Sequence, residues 1–220
     1  MSPEKALEML NEGKIEELKG LLRSEISSKG LNTSEKARMQ AGKRFFKFSP
    51  NYLADMCKMP CILQDEGENR MFYLNGHALI SSKEIFDIPT IDPAKYPKGA
   101  HDYFKELDTK TGRKIDINKA ITELKVRGYS RKISEVRPAA GEYPYTFEYD
   151  GAYYNAGLLE IAYSIIANDE IPTVYHIPGQ ARMPIFIKNS IGTAMILPFQ
   201  TLDDVENTIN LEEETYCEKI

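Results

Sequence analysis

Along the first 30 positions the apolar residues recur at helical spacing: Leu7, Met9 and Leu10, then Ile15, Leu18, Leu21, Leu22 and Ile26. That period predicts helix over 2–29, with Ser2 as cap, Pro3 in the first turn and Glu4 at the positive helix end. The polar run Asn11-Glu12-Gly13-Lys14 is expected to split it into a helical hairpin. Residues 27–44 are mostly polar and are expected to hold a loop and a further helix carrying Arg38, Lys43 and Arg44.

At Phe45 the pattern changes from helical to alternating. "RFFKFS" (44–49) predicts a strand, and "PNYLADMCKM" (50–59) a short helix opened by Pro50. Residues 61–82 predict three strands, joined by a turn at Glu66–Asn69 and a tight Asn75-Gly76 turn. Pro89, Pro93 and Pro97 make 88–99 a linker or an edge-hugging connector, the best candidate for a domain boundary. Residues 113–128 predict a short strand and a helix closed by Gly128. "YTFEYDGAYYN" (145–155) predicts a turn at Asp150-Gly151 between alternating residues, and Asn155 is placed to cap a helix reaching Ala167. Strands follow over 171–179, 183–189 and 192–199, with turns at Gly179 and Ser190–Gly192. The last 20 residues are acidic and predict at most a weak helix.

Two segments share one order. Both 45–82 and 145–199 read strand, helix, strand, strand, strand, a repeat of pattern without residue identity. The expected class is α+β, with short helices packed on one face of antiparallel sheets and an N-terminal helical extension. The expected organisation is a helical extension over 1–44, a half-domain with the Pro-rich linker over 45–100, a C-terminal domain over 101–200 and an acidic tail over 201–220.

Charge adds an asymmetry that the net value of −5 hides. Residues 1–109 are nearly balanced, whereas 110–137 carry nine basic residues against three acidic, and 138–220 carry three basic against 13 acidic. Within "LKVRGYSRKISEVR" (124–137), Lys125, Arg127, Arg131, Lys132 and Arg137 surround Tyr129. Lysine and arginine neutralise phosphates whatever the base sequence, and an interleaved aromatic can stack on a base. A run of this kind serves either as a polyanion contact or as a solvated face.

Catalytic and metal motifs are sparse. No phosphate loop, dinucleotide fingerprint or nucleophile elbow occurs. Cys57 and Cys61 stand four apart, but Cys217, His77, His101 and His176 show no paired spacing that would complete a zinc site, and small core cysteines are the alternative. No metal or cofactor is expected. Three cysteines without a disulfide pattern, no basic head followed by an apolar run, and no stretch near the roughly 18 apolar residues of a membrane span predict a soluble cytoplasmic protein.

The segment from Phe147 to Phe199 resembles the closing half-domain of the bacterial DNA polymerase III β subunit, the sliding-clamp family. Tyr154-Asn155 stand at the helix start, Leu158-Leu159 supply the paired leucines, Pro184 opens the next strand, and Leu197-Pro198-Phe199 stand at the family's closing motif. "RFFKFSPNYLADM" with the three strands after it resembles a second, fainter half-domain. The resemblance implies a non-enzymatic protein of DNA replication, divergent and of a kind suited to phage or mobile elements. It implies duplex DNA held at phosphates by Lys125, Arg127, Arg131, Lys132 and Arg137, a replication partner's peptide held near Leu197, Pro198 and Phe199, and a homo-oligomer. A clamp-derived interaction module without DNA binding is the alternative. The helix from Asn155 carries Glu160 but no lysine or arginine, so the basic stretch at 118–128 would have to face DNA.

Overall fold

The computed structural model describes residues 3–27, 31–49, 58–97, 99, 100, 102, 104, 112–126, 146–176, 183–198 and 208–218. The chain begins with α1 (Pro3–Asn11) and α2 (Ile15–Ser27), separated at Gly13, whose φ of +72° only glycine adopts freely. There the Lys14 N–H donates to the Met9 carbonyl at 2.9 Å, closing α1. The third helix, α3 (Thr33–Phe45), starts at a reciprocal cap. Asn32 accepts from the Glu35 N–H at 2.9 Å, and the Asn32 N–H donates to the Glu35 carboxylate at 2.7 Å.

The strand expected over 44–49 is a correction. Those residues finish α3 and continue as one 3₁₀ turn, Phe46–Phe48. Phe45 belongs to the helical stripe Arg38, Met39, Ala41, Gly42 and Phe45, which is buried, and its ring meets Tyr73 edge-on at 6.3 Å. Six residues of alternation are too few to outweigh that stripe.

The strands β1 (Cys61–Asp65), β2 (Glu68–Leu74) and β3 (Ala78–Ser82) fall where the turn chemistry predicts. Glu66 and Gly67 both take positive φ in the first hairpin, as a two-residue primed turn requires. The Pro-rich stretch hugs an edge: Ile91 bridges Cys61 in parallel, and its N–H donates to the Pro60 carbonyl at 2.8 Å. Tyr96 then packs edge-on against Phe72 at 6.2 Å.

β4 (Arg113–Ile115) leads into α4 (Ile117–Val126). β5 (Thr146–Tyr149) and β6 (Ala152–Asn155) form a hairpin through Asp150 and Gly151, both at positive φ. Asn155 then caps α5 (Ala156–Ile166), accepting from the Leu158 N–H at 2.9 Å. β7 (Thr173–Tyr175), β8 (Ile185–Lys188) and β9 (Gly192–Ile196) follow. In place of the expected weak helix, the C-terminal region supplies two short strands, β10 (Thr208–Asn210) and β11 (Cys217–Glu218). Ile209, Leu211 and Tyr216 are buried there, and these anchors override the acidic residues around them.

Among the described residues the strands form two sheets. Eight strands run in the order β1-β2-β3-β9-β8-β7-β4-β11, and three run β10-β5-β6. The joint of the large sheet is the antiparallel pair β3–β9, with Ala78 opposite Ile196 and Ser82 opposite Gly192. Because side chains alternate across a sheet, Met71, Tyr73, Ile80, Ile185, Ile187, Ala194 and Ile196 share one face and Phe72, Leu79, Phe186 and Met195 the other. The first face joins the main core with α3, α4, α5 and the small sheet; the second packs with Ile91, Tyr96 and Ala100. Nine of the eleven residues of α5 are buried, which explains apolar residues on nearly every side of that helix. The chain is therefore a mixed α+β protein with a continuous, mainly antiparallel sheet.

Candidate functional site

The closing rim is built by the hairpin that ends β2. Asn75 is fully buried; its Oδ1 accepts from the His77 and Ala78 N–H groups at 3.0 and 2.9 Å, and its Nδ2 donates to the Phe45 carbonyl at 3.3 Å. This fixes the Asn75-Gly76 turn against the end of α3. The His77 carbonyl then accepts from the Leu197 N–H at 2.9 Å, so the pairing of β3 with β9 continues one residue past the strand. Leu197 is 42% exposed there and Pro198 is half-buried. Partial burial lowers the pKa of the neighbouring His77 imidazole. The structure thus places an exposed apolar side chain at the end of β9, beside a turn fixed by a buried amide; Phe199 lies outside the described residues.

The basic stretch is described only through its first member. Lys125 lies in the last turn of α4, where a cation complements the helix dipole, and its Nζ is 2.9 Å from Glu160 Oε1 on α5. Both groups keep solvent access, at 49% and 22%, so the pair is a weak tie between two helices. Arg127, Arg131, Lys132 and Arg137 lie outside the described residues. Glu160 is the partner that the sequence did not reveal, because it stands 35 positions away on another helix.

A second polar group gathers around His176, a residue whose partners the sequence did not reveal. His176 directly follows β7, and its Nδ1 lies 3.1 Å from Asp150 Oδ2 at the tip of the β5–β6 hairpin. With Nδ1 protonated the imidazole donates to that carboxylate. Its Nε2 is buried with no hydrogen-bond partner, and the Tyr149 ring meets the imidazole edge-on at 5.7 Å. Glu212 ties this corner to the C-terminal strands: Oε2 accepts from the Asp150 N–H at 3.0 Å and Oε1 from Arg113 Nη1 at 2.5 Å. Burial pushes the Tyr149 hydroxyl up to about 12, against the pull of Arg113. No sequence spacing could bring these residues together, since their partners lie 26 to 99 positions apart. Among the described residues no group of three or more His, Cys, Asp or Glu side chains is arranged to hold a metal ion, and no helix is long and apolar enough to cross a membrane.

No protein-family model matches the chain, and no curated protein is significantly similar to it. Solved structures similar in shape include the following one. It is a crystal structure provisionally described as a DNA polymerase III beta subunit, from Eubacterium rectale ATCC 33656. The two share 13% identity with a TM-score of 0.49, over 76% of this chain and 64% of that chain. This chain therefore spans less than two thirds of the length of that structure.

Taken by geometry, the predicted site residues fall in two places. Leu197 and Pro198 end β9 beside the β2–β3 turn, and Lys125 sits at the end of α4 against α5. The rim offers an apolar side chain at the end of β9 with its backbone N–H already paired; the α4–α5 corner offers Lys125, balanced by Glu160.

Proposed function

We propose that the chain is a non-catalytic, clamp-like scaffold that works at duplex DNA in the cytoplasm. The observation that carries this reading is how the large sheet is assembled. Three strands from 61–82 and three from 173–196 meet edge to edge at β3–β9, and α3 and α5 pack together in the core on one side. That is the helix-on-one-face arrangement expected from the order of strands and helices in the sequence. In this reading Lys125, Arg127, Arg131, Lys132 and Arg137 contact phosphates, while Leu197, Pro198 and Phe199 receive an apolar segment of a replication partner. The acidic remainder of the chain keeps the polyanion to one face.

A second reading, an interaction or assembly module without DNA, is favoured by one observation. The Lys125 ammonium is already paired to Glu160, and α5 itself carries no lysine or arginine.

Fluorescence anisotropy on a labelled duplex separates the two. The test variant is Arg127→Glu, Arg131→Glu, Lys132→Glu and Arg137→Glu together, leaving the Lys125–Glu160 pair intact. The scaffold reading expects the wild type to bind at low salt and the variant to lose at least tenfold in affinity. Equal binding by both, or none by the wild type, leaves the module reading standing.

A further inference from the structure

Asparagine is a thermolabile residue, most so before glycine, and Asn75-Gly76 is the sole Asn-Gly pair in the chain. The fold treats its two members differently. Gly76 and His77 are exposed at the tip of the β2–β3 turn, and Gly76, at a φ of +84°, has no side chain to crowd its nitrogen. The Asn75 carboxamide lies beneath them, wholly buried. Its Oδ1 accepts from the His77 and Ala78 N–H groups, and its Nδ2 donates to the Phe45 carbonyl. These three hydrogen bonds and exclusion from solvent immobilise the amide while the turn is closed. Because the tip lies at the surface, the turn can lift by local opening without unfolding the core.

We propose that Asn75-Gly76 is a modification site, a spontaneous deamidation that the closed turn blocks, that the open turn permits, and that keeps the turn from closing again. The Gly76 amide nitrogen gives up its proton to base and attacks Asn75 Cγ. The Cγ–Nδ2 bond breaks, and Nδ2 takes a proton from water and leaves as ammonia, so a five-membered succinimide remains. Water then opens that ring at Cγ to give aspartate, or at the backbone carbonyl to give isoaspartate. One water is consumed and one ammonia released, with no oxidant, reductant or cofactor.

Both products break the clasp. An ionised carboxylate only accepts hydrogen bonds, so the Phe45 carbonyl loses its donor and faces a buried negative group. Isoaspartate also routes the main chain through the former side chain, which lengthens the turn by one bonded atom. The His77 carbonyl that accepts from the Leu197 N–H is then displaced, so the change reaches the end of β9. The site stands whether or not the chain binds DNA or a partner.

The test is peptide mapping of the full chain. Cleavage after Arg70 and Lys83 releases residues 71–83, in which Asn75 is the sole amide side chain. Its conversion to acid is followed by mass in mildly alkaline buffer, with the protein folded and in urea. Conversion is expected at least ~10-fold faster in urea, because opening of the turn limits the folded rate. Equal rates, or no conversion in urea, overturn the proposal. The consequence is read on Asn75→Asp, whose thermal midpoint is expected roughly 3–10 °C below the wild type. A midpoint within ~1 °C of the wild type overturns the claim that conversion keeps the turn from closing. Converted wild-type chains, separated by their added charge, give the same reading should that variant fail to fold.

Discussion

An added Cβ at Gly192 would fall inside van der Waals contact of the Ser81 carbonyl oxygen and meet Ile166 Cγ2 at 3.0 Å. The first obstacle is backbone of the neighbouring strand, which cannot turn aside as a side chain could. Gly192→Ala should therefore pry apart the start of the β3–β9 pair and cost roughly 2–4 kcal/mol, the range of overpacking and lost ladder bonds. Urea unfolding of the variant checks this, and a change within 0.5 kcal/mol or so would be that of an ordinary surface site. The buried tyrosines give a second residue-scale prediction. Burial raises the hydroxyl pKa of Tyr149 and Tyr163 to about 12, and raises Tyr73 and Tyr154 further. A raised folded value means the stabilisation is complete below the unfolded pKa near 10 and is lost as pH climbs through 12. An absorbance titration of tyrosinate should show these four ionising together with unfolding, after the exposed tyrosines have titrated.

Among the elements, α3 is fastened where no local signal points. Arg38 Nε and Nη2 donate to Glu84 Oε2 and Oε1 at 2.5 and 2.6 Å, and Nη1 donates to the Ala167 carbonyl at 2.8 Å, just past α5. One side chain thus joins α3, the segment after β3 and the end of α5. Arg38→Met leaves a partly buried carboxylate and a carbonyl unpaired, at a cost of roughly 2–3 kcal/mol. Adding Glu84→Gln should recover part of that loss, and a double-mutant cycle by thermal melts measures the coupling. The elements themselves were largely legible in the sequence. Asn155 announces its helix by a side-chain cap, and the turns at Glu66–Asn69, Asn75-Gly76 and Asp150-Gly151 hold the positive-φ residues Glu66, Gly67, Gly76, Asp150 and Gly151; the Asn32 cap of α3 emerges only in the fold. What failed was local evidence against distant partners. "RFFKFS" alternates, yet Phe45 completes a helical stripe against Tyr73; the acidic C-terminal region looks unstructured, yet Ile209 and Leu211 find the β5 edge. The β3–β9 register and the His176–Asp150–Glu212 corner depend on contacts that only the folded chain brings together.

For the whole molecule, the account turns on a charge partition carried by a continuous sheet. A local excess of basic over acidic residues, nine against three, falls in 110–137, and the acidic surplus follows it. Of the two predicted binding regions, the one at Leu197 and Pro198 rests on the resemblance alone; in the fold these residues follow β9 beside the β2–β3 turn. The phosphate contacts proposed for 125–137 rest on composition, and Lys125 shows why composition alone is incomplete: Glu160 balances it from another helix. The most direct test of the central claim is the salt dependence of duplex binding. Each neutralised phosphate contributes about −0.9 to the slope of log K against log salt, so contacts by Arg127, Arg131, Lys132 and Arg137 predict a slope near −3 to −4 for the wild type. Reversing those four residues should bring it close to zero. A wild type with no measurable affinity at about 50 mM salt, or a slope that survives the reversal, would contradict the claim.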